Sequence, residues 1–329
     1  MNTVLNALNQ ALHRAMQADA RVHLLGEDIL DPYGGAFKVT KGLSTAFPKR
    51  VHSSPISEAG IVGAGIGMAL RGLRPVIEIM FGDFSTLIAD QLINHAAKFP
   101  QMYNDRVSVP LVVRTPMGGR RGYGATHSQT LEKLFMGIPG LRVVAPASVS
   151  DPGHTLETAI LHDDWPVFFV ENKLQYLAKT NLSIDFEQTT HEGLYPTHAL
   201  RIAGAPAPNI TITAYGYMAD LALQAARTLA YEHEIFAEII VPTQLSPMMM
   251  PPLTGSLAQT RCLLTLEEGT YSLGWGAEIL ARATESPDIP AFAGKRLAAH
   301  ESIIPAAGPL EEAVFPHAAD IVAAARSLL

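Results

Sequence analysis

Two periods organise the apolar positions of this chain. Short apolar runs at 22–25, 75–80, 111–114, 142–145 and 167–170 read as strands, and 3.6-residue periodicity over 3–18, 58–71, 84–98 and 151–162 reads as helices. Such alternation predicts a largely parallel sheet with helices on both faces. Periodicity fades over 171–195, which reads as a linker. A second series follows, with strands at 210–215, 236–241 and 262–266 and helices at 218–231 and 277–284. The expected fold class is α/β, two doubly wound domains spanning 1–190 and 191–329.

Composition narrows the function. With 329 residues, 48% hydrophobic and 17% charged, the chain has enough apolar material for two cores. Its net charge of -7 and scattered lysines and arginines leave no footprint for nucleic acid. A single cysteine, Cys262, excludes an internal disulfide framework, and the opening MNTVLNALNQALHRAM reads as an amphipathic helix rather than a signal peptide. No apolar run reaches the roughly 18 residues of a membrane span. A cytoplasmic protein is expected.

Candidate chemistry concentrates in two stretches. Residues 55–81 set Glu58 among Ile56, Ala59, Ile61 and Val62, a background that predicts desolvation and a carboxyl group held neutral as a general acid. The nearby glycines 60, 63, 65 and 67 do not fit G-x-G-x-x-G, so close packing against another helix or another chain is the expected role. Residues 115–135 form a glycine-rich loop that delivers His127, with Arg120 and Arg121 as candidate holders of an anionic substrate. There is no H-E-x-x-H, C-x-x-C or G-x-S-x-G pattern to support zinc hydrolysis or an elbow serine.

A longer series of motifs carries more weight. GEDI at 26–29, GGAFKVTKGL at 34–43, PISEAG at 55–60, GLRPVIEIMF at 72–81, DFSTLIADQLINHAAK at 83–98, HSQ at 127–129 and PGLRVVAP at 139–146 follow in order, with LSP at 245–247, EEG at 267–269 and GWGAEI at 274–279 behind them. In this the chain resembles the beta subunit of the thiamine-diphosphate-dependent decarboxylating component of 2-oxoacid dehydrogenase complexes, a transketolase-like family. The resemblance implies a pyrimidine-binding domain followed by a transketolase C-terminal-like domain. It also implies that Glu58 hydrogen-bonds the cofactor's aminopyrimidine and favours its imino tautomer, that Phe84 packs against that ring, and that Glu27 and Gln91 lie near it. His127 matches a histidine associated with reductive acylation of the lipoyl group of an acyltransferase partner. A structural potassium ion is implied near Ala159 and Asp163, in AILHDDWP, a segment one residue longer than the usual form.

One motif is missing. Thiamine-diphosphate enzymes hold the diphosphate and Mg2+ with G-D-G and a following asparagine pair, whereas here Gly82-Asp83 is followed by Phe84. An alpha subunit is expected to supply those ligands in an alpha2beta2 heterotetramer. Two other readings stay open at this level: a carboligating, transketolase-like transferase subunit, and a non-catalytic subunit that completes an oligomer.

Overall fold

A computed structural model describes residues 3–180 and 184–329. The first half contributes strands β1 (Val22–Gly26), β2 (Val51–Ser53), β3 (Arg74–Glu78), β4 (Val112–Met117), β5 (Arg142–Val144) and β6 (Val167–Asn172). The second contributes β7 (Phe186–His191), β8 (Thr197–Ile202), β9 (Ile210–Ala214), β10 (Ala237–Pro242), β11 (Gln244–Ser246), β12 (Cys262–Thr270) and β13 (Ala293–Ala299). They build two sheets, ordered β11-β5-β6-β4-β3-β1-β2 and β13-β12-β9-β10-β8-β7. Both are parallel except at one edge: β11 runs antiparallel to β5, and β7 and β8 are antiparallel additions beside β10. The expected fold class holds.

Helices cover the sheets as the periodicity requires. In the first half these are α1 (Val4–Ala18), α2 (Leu43–Ala46), α3 (Glu58–Leu70), α4 (Phe99–Met102) and α5 (Pro152–Leu161). In the second they are α6 (Tyr217–His233), α7 (Pro251–Thr260), α8 (Trp275–Glu285), α9 (Gly308–Glu312) and α10 (Ala318–Arg326). Capping fixes where they start. The Thr3 hydroxyl accepts the Asn6 amide at the head of α1, and Asp151, followed by Pro152, accepts the His154 amide at the head of α5. Helices α1 and α5 pack on one face of the first sheet, and α3 packs on the other. That second core is continuous with the C-terminal half through Leu253, Leu257, Trp275 and Ile279, so the two domains share one apolar interior. No helix among the described residues is long and apolar enough to cross a membrane.

Two sequence expectations change. The stretch read as a linker contains β7, which pairs with β8 and so belongs to the second sheet; its polar residues face outward on an edge strand and leave no apolar run to detect. The helix expected over 84–98 is instead a 3-10 segment, Gly82–Ile88, and a π segment, Gln91–Ala96. Asp83 is tethered across to Gln129, whose amide and side chain both donate to its carboxylate (3.2 and 2.8 Å), and this breaks the regular winding.

Beneath the ends of three adjacent strands lies a buried ionic cluster. Arg114 of β4 donates to both oxygens of Glu171 on β6 (2.7 and 2.6 Å) and pairs with Glu78 on β3, while the Tyr176 hydroxyl donates to Glu171 at 2.6 Å. Burial drives the Glu78 carboxyl upward against the pull of Arg114. Replacing the arginine strands two carboxylates in the core. Arg114→Met is expected to cost about 3–5 kcal/mol in denaturant unfolding, and a loss below about 1 kcal/mol would show that the cluster contributes little.

Glu267 of β12 is a second buried acid. It accepts the Trp275 and Gly276 amides at the head of α8 (2.7 and 3.0 Å), yet burial pushes its pKa up to about 7 from 4.5. The folded chain therefore holds this proton more tightly than the unfolded chain. The group's contribution to stability is full below pH 4.5, falls as pH rises from there to about 7, and is constant above. Across that window the wild type should lose about 3 kcal/mol more than Glu267→Gln. Parallel pH profiles of the two proteins would contradict the assignment.

Candidate functional site

The carboxyl ends of β1, β3, β4 and β6 point to one side of the first sheet, where open α/β sheets bind ligands. Glu27 directly follows β1, and Glu58 is the first residue of α3, which packs against β1. The two carboxyl groups face each other closely enough to repel. Burial, and then the charge of Glu58, raises the Glu27 pKa, opposed by a hydrogen bond from the Ser57 amide. One Glu27 oxygen, Oε1, is buried without a partner.

Glu58 itself departs from expectation. Its apolar sequence neighbours do not surround it, because the helical period turns Ile61, Val62, Gly65 and Ile66 into the core and leaves Ile56 83% exposed. Glu58 is half-buried at the rim, and Glu27 carries the displaced pKa. The glycine face divides as well. Gly65 lies against β3 and β4, where an added Cβ would come within 2.5 Å of Ile77 Cδ1 and 3.3 Å of Leu111 Cδ1, while Gly63 and Gly67 meet nothing within 4 Å. At Gly60 an added Cβ would meet the Ser57 hydroxyl at 2.8 Å, so close approach within the chain involves two of the four glycines.

His127 stands in an aromatic corner, with its ring centroid 4.7 Å from Phe81 and 5.3 Å from Phe84, both edge-on. Thr126 Oγ1 lies 3.0 Å from its Nδ1. Phe81 also meets Phe37 at 5.5 Å and Tyr123 at 5.9 Å. Lys173, just past β6 and 1% exposed, donates to the His127 carbonyl and lies over the Phe81 and Tyr123 rings. Burial lowers its pKa to about 8. Gln91 sits on the π segment packed against α3, and its Oε1 is buried without a partner.

The loop that carries His127 is held by carboxylates from the second domain. Glu268 accepts the Gly119 amide (2.9 Å) and the Asn172 side chain (2.7 Å), and Glu311 of α9 accepts the Arg120 and Gly122 amides (2.9 and 2.7 Å). Left-handed φ angles at Gly118, Arg120, Gly122 and Gly124 let successive amides turn toward these oxygens. The two arginines are not equivalent. Arg120 is buried, pairing with Glu268 at 3.3 Å, donating to the Pro316 carbonyl at 2.6 Å and stacking on Phe315, so it is a domain tie and is not available to a substrate. Arg121 is exposed, over Tyr123 and Phe37.

The unpartnered acceptors on Glu27 and Gln91 and the flat apolar faces of Phe81 and Phe84 are groups of the kind that suit a polar heteroaromatic ring such as the aminopyrimidine of thiamine diphosphate. Among the described residues no group of three or more His, Cys, Asp or Glu is placed to hold a metal ion. The potassium expectation at Ala159 and Asp163 meets a different arrangement, in which the Ile160 and Asp163 carbonyls already accept from Arg74. That turn does not fit a metal cation.

Sequence reasoning missed Glu311 and the loop-holding role of Glu268. The only local signal was an acidic pair at 311–312, which reads equally well as a solvated helix start. Glu311→Ala should leave the fold intact but free two amides. Exchange of the Arg120 and Gly122 amide hydrogens is expected to quicken about tenfold or more, matching loss of one charge-assisted hydrogen bond each. Unchanged exchange at both would show that the loop is held by other means.

The chain matches the family model for the transketolase pyrimidine binding domain over residues 2–178 and that for the transketolase C-terminal domain over 201–321. It is 39% identical to the rice mitochondrial pyruvate dehydrogenase E1 component subunit beta-1, over 98% of this chain and 86% of that one. Identity to the cattle pyruvate dehydrogenase E1 component subunit beta is 36%, over 99% and 90%. Against the acetoin:2,6-dichlorophenolindophenol oxidoreductase subunit beta of Cupriavidus necator it is 36%, over 98% and 96%. A solved structure of a split gene transketolase, an inactive beta4 tetramer, superimposes with a TM-score of 0.76 at 22% identity, covering 98% and 97% of the two chains, and shares the fold. The chain belongs to the thiamine-diphosphate-dependent, transketolase-like family that contains the beta subunits of 2-oxoacid dehydrogenase E1 components.

Proposed function

We propose that this chain is the beta half of a 2-oxoacid decarboxylase that passes its acyl product to lipoamide, with Glu58 as the group that activates the cofactor. The supporting observation is the pairing of Glu58 with Glu27 at the mouth of β1. Burial first, and the charge of Glu58 second, push the Glu27 carboxyl toward its neutral form. In this reading Glu58, at the head of α3, hydrogen-bonds a ring nitrogen of the cofactor. Thiamine diphosphate, when bound, supplies the electron sink for release of carbon dioxide from the 2-oxo acid.

The remaining residues bind, orient and exclude water. Phe84 and Phe81 give the ring a flat apolar wall, and Gln91 offers an acceptor to its polar edge. His127, half-buried between the two phenylalanines, is placed to hold a proton for the acyl acceptor, a dithiolane on a lipoyl-bearing acyltransferase. With no carboxylate cluster for Mg2+ among the described residues, the diphosphate and its metal fall to an alpha subunit. The outward glycines of α3, Gly63 and Gly67, offer a close-approach surface for such a partner in an alpha2beta2 assembly. The inactive beta4 state named for the transketolase neighbour is consistent with a beta chain that is inactive by itself.

The test is decarboxylation of a 2-oxo acid panel by this chain co-expressed with its alpha partner, with thiamine diphosphate and Mg2+, for wild type and Glu58→Ala. Activity should need both chains and fall by about 10²–10⁴-fold in the variant, while the variant still co-purifies with its partner. A wild-type pair that assembles but decarboxylates none of the panel would refute the oxidative reading, and ketose and acyloin donors would then be tried.

A further inference from the structure

The turn between α5 and β6 is closed by a charge that belongs to the chain itself. Arg74, the first residue of β3 and only 6% exposed, donates from Nε to the Ile160 carbonyl and from Nη2 to the Asp163 carbonyl, both at 2.5 Å, and from Nη1 to Asp164 Oδ1 at 2.9 Å. All three guanidinium nitrogens are engaged. The final carbonyls of a helix lack intrahelical partners and carry the negative end of its dipole, so the exit of α5 calls for a cation.

The Asp163 carboxylate is equally committed. It accepts the Trp165 amide (3.0 Å) and the Tyr195 hydroxyl (2.9 Å) and pairs with Arg142 at 2.8 Å, and Arg142 stacks on Trp165 at 4.5 Å. Burial and the neighbouring Asp163 push the Tyr195 hydroxyl well above its ordinary range, which keeps it a donor. Two guanidinium groups therefore converge on a turn of a few residues.

A monovalent metal ion requires several oxygens converging on one point without a competing cation, and here two carbonyls of the turn, those of Ile160 and Asp163, already accept from the Arg74 guanidinium. A metal ion beside Arg74 would also face a fixed positive charge in a poorly solvated place. We infer that Arg74 is the resident cation of the α5–β6 turn and that this chain requires no potassium there. Guanidinium suits the role because its charge is permanent and its planar fork reaches separate acceptors, which the point charge of a metal ion does by coordination. The inference concerns stability and stands apart from the proposed reaction.

Thermal unfolding of the full chain at equal ionic strength in potassium, sodium or choline chloride tests it without any assay of activity. Wild type should melt at one temperature in all three salts, and Arg74→Met should melt about 5 °C lower or more, since several buried acceptors lose a charged donor. A wild-type midpoint that climbs saturably with potassium, but not with choline, would overturn the assignment, as would an Arg74→Met protein that melts with wild type. Should the variant fail to fold, the wild-type salt series decides alone.

Discussion

A guanidinium buried between two carboxylates governs the geometry of this molecule. Arg114 draws Glu78 and Glu171 together from the strands on either side of β4, which fixes the relative height of β3, β4 and β6 where they leave the sheet. Each exit carries a part of the site: Phe81 and Phe84 follow β3, the His127 loop follows β4, and Lys173 follows β6. The loop after β1 is seated on the same cluster, since Gly35, with a φ of +81°, leaves only 2.6 Å between its missing Cβ and Glu78 Oε1. A cluster of this kind adds little net stability over an apolar core of the same shape, but it tolerates few alternative arrangements. That trade suits a site whose walls come from three strands.

The second domain completes what the first begins. A loop rich in glycine has no preferred shape of its own, and glycine gives up more conformational freedom on ordering than any other residue. Glu268 and Glu311 hold it by accepting three of its amides, and Arg120 returns the contact by reaching the Pro316 carbonyl. The shared apolar core presses the domains together, while the carboxylates decide how the loop sits. The loop that carries His127 is thus held by two residues of the second domain, Glu268 and Glu311, far along the chain.

This explains which features were legible in the sequence. Strands buried on both faces announce themselves as apolar runs, so β1, β3, β4, β6, β9 and β10 were readable, as were α1, α3 and α5 from their helical periodicity. The edge strand β7 was not, because half-solvated strands carry polar residues, and neither was β11, a three-residue strand that crosses from the second half to the first sheet. Motif order pointed to Glu58, Phe84 and His127. Local context misled on the environment of Glu58, since flanking residues on a helix scatter around its axis instead of enclosing one of them. Arg120 and Arg121, adjacent in sequence, ended on opposite sides of the loop because a left-handed φ of +63° at Arg120 reverses the chain between them.

The chain also divides its charges by whether they can be lost. Arg74, Arg114 and Arg120 are buried where structure needs a charge at every pH, and arginine cannot give up its proton in a protein. Groups pushed toward neutrality stand both in the framework, where burial raises Glu78 and Glu267, and around the candidate site, where Glu27 is raised by burial and then by Glu58 and Lys173 is lowered by burial to about 8. Each displacement has a cost to folding, because burial disfavours the charged form of a group that water would otherwise solvate. The framework carboxylates Glu78, Glu171 and Glu268 each face one of these permanent cations. Burial and the facing Glu58 favour the neutral form of Glu27 at the site, while Arg74, Arg114 and Arg120 stay charged in the framework around it.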